Sequence, residues 1–270
     1  MQGGVKMQGG VKMQARIVAA SRGARWLGEG WQLFRPAPFG WLALSCVYLL
    51  GTNVLALIPV VGVMVALILV PPLTVGMMAA ARAASAGAAP RLAMLAQALR
   101  TETRAQLALG LVYLGCSMLI FAAMAAADGA GGLRQAMSGQ SPSAEADLGA
   151  LAFPLAVFAL LYLPVSMMFW FSPPLVAWHA TGAPRALFFS FVACLLNWRA
   201  FLAYGASVVL MMVAIPGLVL LALRVFFALE LRMAAVSLVL PFLVLMLPTL
   251  FASFYASYRD VFGVPQGPER

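Results

Sequence analysis

The hydrophobic positions of this chain form six long, nearly uncharged runs, instead of the striped or alternating patterns of a soluble domain. A helix of about 20 apolar residues is long enough to cross the hydrocarbon core of a bilayer. The runs therefore predict an all-α, polytopic membrane protein with six transmembrane helices. Their predicted bounds are residues 39–55, 57–79, 105–126, 148–171, 200–223 and 233–253.

The pattern around the second to fifth runs occurs twice along the chain. In each copy an apolar run reaches a double proline, a short basic segment follows, and a new run opens after an arginine. The double prolines are Pro71-Pro72 and Pro173-Pro174. Because proline removes an amide donor and clashes with the preceding turn, each helix is expected to stop or kink there. The copies, about residues 57–126 and 148–223, run in the same direction, so the sequence predicts a parallel helical-hairpin repeat.

Three short amphipathic segments precede the runs that leave the basic side of the membrane. In the first, Trp26 and Trp31 share one helical side, whereas Arg25 and Glu29 fall on another. Tryptophans on one side of a short helix are typical of the membrane–water interface. We therefore expect these segments to lie in the headgroup layer, at residues 25–35, 90–104 and 184–199.

The amino-acid composition indicates that most of the chain is surrounded by lipid hydrocarbon and not by water. Apolar residues make up 64% of the chain and charged residues only 9%, whereas a soluble domain carries about 25% charge. The mean hydropathy is +0.97. The formal charge of +9 could indicate a nucleic-acid partner, but the basic residues lie between the apolar runs. That placement favours membrane topology, and we expect no nucleic-acid partner.

The distribution of basic residues predicts the orientation. Of the 17 lysines and arginines, fourteen fall on one side of a six-span arrangement. By the positive-inside rule this side, with both termini, is cytoplasmic. The opposite side carries Arg224, Glu230 and Arg232, which are predicted to form an ion pair at the outer mouth or a simple interfacial turn.

The predicted domain organisation is a membrane domain between two tails. Residues 1–22, which contain the six-residue unit MQGGVK twice, are predicted to be a flexible cytoplasmic tail. Residues 23–263 form the six-helix domain, and residues 264–270 form a second cytoplasmic tail.

Aromatic and basic side chains beside the runs are candidates for contact with phospholipid headgroups, because these residue types are enriched at membrane interfaces. The candidates are Trp26, Trp31, Arg35, Arg91, Arg100, Arg104, Trp178, Arg185, Arg199, Tyr258 and Arg259.

The sequence offers no catalytic, cofactor or metal site. It contains no motif of a hydrolase, kinase or metalloprotease. His179 is the only histidine and cannot supply a tetrahedral zinc site alone. The three cysteines form no CxxC pair, and the methionine pairs form no MxxM cluster that would favour copper(I). We therefore expect a protein that is not an enzyme and binds no cofactor.

Three stretches resemble an uncharacterised family of proteobacterial six-span inner-membrane proteins. They are residues 23–34 (GARWLGEGWQLF), the Pro71-Pro72-Leu73 turn, and residues 253–263 (SFYASYRDVFG). More distantly, the chain is similar to the membrane domains fused to some bacterial glycerophosphodiester phosphodiesterases. The resemblance implies the six-span fold and the inner membrane, and it implies no activity.

A membrane enzyme that acts on lipid headgroups would need a nucleophile or a metal site that the sequence does not supply, which leaves two main functions open. The first is an accessory or scaffold protein that packs against a membrane complex, associates with itself, or organises lipid. The alternative is a transporter of a small apolar or amphiphilic substrate. Transport predicts a cavity lined by hydroxyl groups such as those of Ser117, Tyr162, Ser166 and Ser207.

Overall fold

The computed structural model describes residues 15–129, 148–227 and 240–263. In these ranges the regular structure is helical. The elements are α1 (Ala20–Phe34), α2 (Pro38–Ala56), α3 (Val61–Ser85), α4 (Ala93–Arg100), α5 (Thr103–Ala127), α6 (Leu148–His179), α7 (Ala183–Leu196), α8 (Trp198–Val209), a π-helical turn (Leu210–Ala214), α9 (Ile215–Phe227) and α10 (Leu240–Phe262).

Five helical stretches in the described residues are long and apolar enough to cross a membrane. They are Pro38–Ala56, Val61–Ser85, Thr103–Ala127, Leu151–His179 and Trp198–Ala222. They coincide with the first five predicted runs, although each extends further toward the basic connections, most of all Val61–Ser85 and Leu151–His179. The start of the predicted sixth run, residues 233–239, lies outside the described residues, and α10 covers the rest.

The double prolines do not end their helices. α3 continues through Pro71-Pro72 to Ser85, and α6 continues through Pro173-Pro174 to His179. The expected stop at these positions is therefore wrong, and the kink expected as its alternative stays a prediction. Proline leaves earlier carbonyl groups without their usual amide donor, but a helix tolerates it where neighbouring groups satisfy the freed backbone. At the second double proline the carbonyl groups that lose their amide donor are those of Phe169 and Trp170. Beside them, the Gln106 side-chain amide of α5 donates to the carbonyl oxygen of Pro173 at 2.9 Å and joins α5 to α6.

A serine hydroxyl from α7 enters the hydrogen-bond ladder of α6 just before this double proline. The Ser190 hydroxyl accepts from the Phe171 amide at 2.9 Å and donates to the Met167 carbonyl at 2.7 Å. These two backbone groups are four residues apart and would otherwise bond directly. Insertion of a side chain at this point is a known cause of helix bending. Ser190 thus fastens α7 to α6 where the prolines weaken the helix.

We expect Ser190→Ala to lower the free energy of unfolding by about 1 kcal/mol, the typical net value of one hydrogen bond, because Phe171 and Met167 can partly re-bond to each other. Thermal unfolding in mild detergent measures the change. Ser166→Ala is the matched control, since the Ser166 hydroxyl donates only to Leu163 of its own helix. Equal losses in both variants would contradict the fastening role.

The chain forms two compact units. The first contains the described parts of Met1–Gly51, Leu73–Arg100 and Val192–Arg270, and the second contains Thr52–Pro72 and Thr101–Phe191. In the first unit α1 packs against α8 and α10, and in the second α5 packs against α6. Within the second unit Gly110 allows the close approach of α5 to α3, since a Cβ atom there would lie 2.2 Å from the Ile68 carbonyl oxygen.

The order of elements is the same in the two sequence copies. Each has a long helix that passes through a double proline, then a shorter helix, and then an apolar helical stretch of 25 residues. The shorter helices are α4 and α7. The stretches that follow are α5 and Trp198–Ala222, which comprises α8, the π-helical turn and the start of α9.

Candidate functional site

The helix α1 lies inside the first unit. The side chain of Trp26 is 0% exposed and that of Phe34 is 4% exposed. The Trp26 ring packs against Phe201 and Tyr204 of α8 at centroid distances of 5.4 and 5.9 Å. The apolar side of this amphipathic helix therefore faces protein, and the expected position in the headgroup layer is wrong for Trp26. Trp31, on the same helix, is 44% exposed and remains available to lipid.

Two glycines allow the backbone of α1 to lie in direct contact with the backbones of neighbouring helices. A Cβ atom on Gly23 would lie 1.8 Å from the carbonyl oxygen of Ala200, in α8. A Cβ atom on Gly30 would lie 2.4 Å from the carbonyl oxygen of Thr249, in α10. Residues seven apart lie on nearly one face of a helix. This face of α1 is thus fitted to two helices at once.

A polar cluster joins α1 to the end of α10, and we name it the α1 clamp. It consists of Arg22, Trp26, Glu29, Arg259 and Asp260. The Arg22 Nε and Nη2 atoms lie 2.7 and 2.9 Å from the Asp260 carboxylate oxygens, and the Trp26 indole donates to the same carboxylate at 2.8 Å. Glu29 accepts from Arg22 at 2.8 Å and from Arg259 at 2.6 Å.

The electrostatics of the α1 clamp are balanced. Its two carboxylates and two guanidinium groups cancel in charge, and all four carboxylate oxygens have a partner. The exposed fractions of the four charged side chains are only 14% to 33%. Burial alone would lower the pKa of Arg22, but hydrogen bonds and charge attraction from Asp260 and Glu29 offset this, so the pKa is raised. The cluster joins α1 to α10, and none of its carboxylate oxygens is free to act as a base or a nucleophile.

The segment before α1 is held by the turn between α7 and α8. The buried Asn197 side chain accepts from the Val18 amide at 2.8 Å and donates to the Arg16 carbonyl at 3.0 Å. The Arg16 amide donates to the Val261 carbonyl at 2.8 Å. The backbone of Arg16 and Val18 is therefore bonded to the α7–α8 turn and to α10, and the predicted domain bounds, 23–263, stay a prediction. Residues 1–14 and 264–270 of the predicted tails lie outside the described residues.

The predicted headgroup contacts divide into three groups. Arg35, Arg91, Arg100, Arg104, Arg185 and Arg199 are exposed, as contact with headgroups requires. Trp178 is half-buried, and Arg259 is engaged by Glu29. Tyr258 is 0% exposed, so the expectation of lipid contact is wrong for Tyr258 as it is for Trp26. Both aromatic side chains fill the protein interior instead.

The predicted ion pair at the outer mouth falls largely outside the described residues. Arg224 is exposed in α9, whereas Glu230 and Arg232 are among the residues not described. The pair remains a prediction.

A small cleft lies in the second unit among α3, α5 and α6. Its volume is about 200 Å³. Two of the four hydroxyl-bearing residues predicted for a transport cavity, Ser117 and Tyr162, contribute to its lining. The Ser166 and Ser207 hydroxyls instead donate to carbonyl groups of their own helices. The full lining is Leu67, Tyr113, Ser117, Ile120, Phe121, Phe158 and Tyr162. Ligand pockets usually measure about 300–1,000 Å³, so this cleft is small for a transported molecule.

The sequence predicted neither the α1 clamp nor the role of Asn197. The partners in the clamp are more than 200 residues apart along the chain, and no local pattern connects them. One indication was available. Glu29 and Asp260 are acidic residues in segments that also contain arginines, which are partners of opposite charge.

One curated relative identifies the family to which this chain belongs. The chain is 37% identical over 267 residues to a probable inner membrane protein of Burkholderia thailandensis, with 92% of this chain and 94% of the relative covered. The chain belongs to the same family. With its membrane-length apolar helices it is an integral membrane protein. The match does not support the distant likeness to glycerophosphodiester phosphodiesterases. No protein-family model and no solved structure matches the chain.

Proposed function

We propose that this protein is a non-enzymatic accessory or scaffold subunit of the bacterial inner membrane. The observation that carries the proposal is the α1 clamp, in which every charged group is paired and serves to join helices. A second support is the apolar surface of the membrane-length helices, where large side chains such as Phe39, Leu160 and Leu218 are more than 60% exposed. Such faces suit lipid or the helices of a partner complex. The relative's description as an inner membrane protein supports the location.

The proposed topology has six crossings with both termini in the cytoplasm. Its support is the bond between the Arg16 amide and the Val261 carbonyl, which joins the chain before α1 to the end of α10. If this contact lies outside the hydrocarbon core, the chain before α1 and the end of α10 are on the same side of the membrane. The chain between them must then cross the membrane an even number of times. α10 then supplies the sixth, and the excess of basic residues assigns the side. We further propose that the two sequence copies form a parallel repeat, a proposal that the matching element order supports.

Transport of a small apolar molecule is the alternative function, and the cleft is the observation in its favour. Tyr113, Ser117 and Tyr162 contribute hydroxyl-bearing side chains to the lining, whose other members are apolar. The modest volume would limit a bound molecule to little more than a single ring, since a cavity of about 150 Å³ holds benzene.

Native mass spectrometry of the protein extracted from its own membrane separates these functions. A stoichiometric second polypeptide is the expected result for an accessory subunit. A protein without a partner that retains one defined small molecule would overturn the accessory proposal and favour transport. In that case Ser117→Ala with Tyr162→Phe should release the molecule, whereas the control Ser207→Ala, outside the cleft, should retain it.

The exposed arginines support a further element of the proposal, contact with anionic headgroups. We expect the triple variant Arg91→Gln, Arg100→Gln, Arg104→Gln to retain less anionic phospholipid after purification, because each charge near such a surface contributes about 1 kcal/mol. Quantitative lipid analysis of the purified protein is the measurement. The matched control changes the same arginines to lysine, which keeps the charges. Unchanged lipid in the glutamine variant would show that these arginines are merely solvated.

A further inference from the structure

The connection between α2 and α3 exposes apolar side chains at its tip. Leu57, Ile58, Val60 and Val61 are between 55% and 79% exposed. The chain carries no charged residue from Arg35 to Arg82, so the whole hairpin is uncharged. The two later connections on the same predicted side contain acidic and basic residues. This tip, which we name the α2–α3 tip (residues 57–61), thus has the composition of a membrane span at a position where a polar loop is usual.

The lengths of the two helices place the α2–α3 tip at the edge of the hydrocarbon. α2 has 19 residues and is therefore about 28 Å long. From the first residue of α3 to Arg82 the helix rises about 31 Å. Both lengths match the hydrocarbon core of about 30 Å. With Arg35 and Arg82 at one boundary, the tip reaches the other boundary without passing beyond it.

The backbone of Val60 gives an independent indication of the surroundings. Its φ angle is +62°, in the left-handed region where glycine and asparagine are favoured and a β-branched residue is strained. In a turn exposed to water, a polar residue or glycine would remove this strain at no cost. An exposed valine is favourable at this position only if its side chain gains an apolar environment.

We infer that the α2–α3 tip remains inside the bilayer and inserts its apolar side chains among the lipid chains of one leaflet. The lipid that surrounds α2 and α3 then continues over the tip without interruption. The hairpin thereby binds lipid through apolar side chains, in contrast to the two later connections, whose sequences contain charged residues. The inference holds whether the protein acts as a scaffold or as a transporter.

A fluorescent probe attached to a single cysteine tests the inference. Cys46, Cys116 and Cys194 are first replaced by alanine, and an environment-sensitive label is then attached at Val60→Cys. The protein is reconstituted into vesicles of phosphatidylethanolamine and phosphatidylglycerol without any other protein. We expect emission shifted to shorter wavelength, strong quenching by lipids with a nitroxide near the headgroup end of the chain, and weak quenching by iodide. Ala180→Cys, in the exposed turn between α6 and α7, is the water-facing control.

Strong iodide quenching at Val60→Cys, equal to that at Ala180→Cys, would overturn the inference. A label that is exposed in the pure vesicles and protected only in native membranes would also overturn it, in favour of a partner protein as the occupant.

A second comparison avoids cysteine replacement. Val60 and Ala180 both have positive φ angles and exposed side chains, so asparagine relieves backbone strain at either position. In proteoliposomes we expect Ala180→Asn to raise the unfolding temperature and Val60→Asn to lower it, because only Val60→Asn moves a polar amide into lipid. A rise for both variants would overturn the inference.

Discussion

Replacing either Gly23 or Gly30 with alanine is expected to destabilise the protein by about 2 kcal/mol, the middle of the range for overpacking of a fitted contact. The added methyl group of Gly23→Ala would lie 1.8 Å from the Ala200 carbonyl oxygen. That of Gly30→Ala would lie 2.4 Å from the Thr249 carbonyl oxygen and 2.9 Å from the Ser253 amide nitrogen. These atoms belong to the backbone of α8 and α10, so neither contact is relieved by a change of rotamer. The whole of α1 has to move away.

The same helix provides the control. A Cβ atom on Gly28 would meet no atom within 4 Å. Because alanine is a better helix former than glycine, Gly28→Ala should stabilise α1 by up to about 1 kcal/mol. Thermal unfolding of the three variants in the same detergent gives the comparison. If Gly23→Ala and Gly30→Ala are as stable as Gly28→Ala, the close packing of α1 between α8 and α10 is wrong.

The positions of the membrane-length helices followed from the sequence because lipid imposes a single, local requirement. Any stretch that crosses the bilayer needs about 20 apolar residues, and a count along the chain is enough to detect it. α2 and α5 thus begin and end within a few residues of their predicted bounds, and α3 begins within a few residues of its predicted start. The departures are the ends of α3 and α6, which pass the double prolines.

The environment of α1 could not be obtained from its amphipathic pattern. A helix with one apolar side has the same periodicity whether that side faces headgroups or other helices. Trp26 therefore matched the expectation for an interfacial anchor, although it is buried against α8. Gly23 and Gly30 on the same face were the better indication, since small residues permit close helix packing.

The side chains that bond the backbone of α6 near Pro173-Pro174 are remote from it in sequence. The proline rule considers only the helix itself. Here Gln106 of α5 and Ser190 of α7 bond the backbone around the prolines. A rule based on neighbouring residues cannot include them, because their position is a consequence of the tertiary fold.

Asp260→Ala is expected to lower the free energy of unfolding by about 2–3 kcal/mol and to release α1 from α10. Hydrogen bonds to charged groups contribute about 1.5–3 kcal/mol each. Asp260 accepts from both Arg22 and Trp26. The total is reduced here because the Arg22 side chain is 29% exposed and water partly replaces its lost partner. The indole of Trp26 is buried and has no such replacement.

Release of α1 gives a readout that a general loss of stability does not. Once α1 detaches, Arg22 and Arg25 become substrates for trypsin while the membrane-spanning helices remain folded. Because Lys6 and Lys12 precede α1 and can be cleaved in either protein, the readout is the new N-terminus. We expect fragments that begin at Gly23 or Trp26 to appear faster from Asp260→Ala than from the wild type, as detected by mass spectrometry at temperatures well below unfolding. Arg185→Ala, at an exposed arginine of α7, is the matched control and should leave the cleavage rate unchanged.

A double-mutant cycle on Glu29 and Arg259 measures the contribution of this ion pair separately from that of Asp260. Their 2.6 Å ion pair has side-chain exposures of 20% and 33%, so the coupling energy should be near the upper end for solvated pairs, about 1 kcal/mol. Arg22 also contacts Glu29 at 2.8 Å. Glu29→Ala should therefore cost more than Arg259→Ala, because it removes a partner from two arginines. Equal costs for the two single variants, with no coupling, would show that Asp260 alone holds α1 in place.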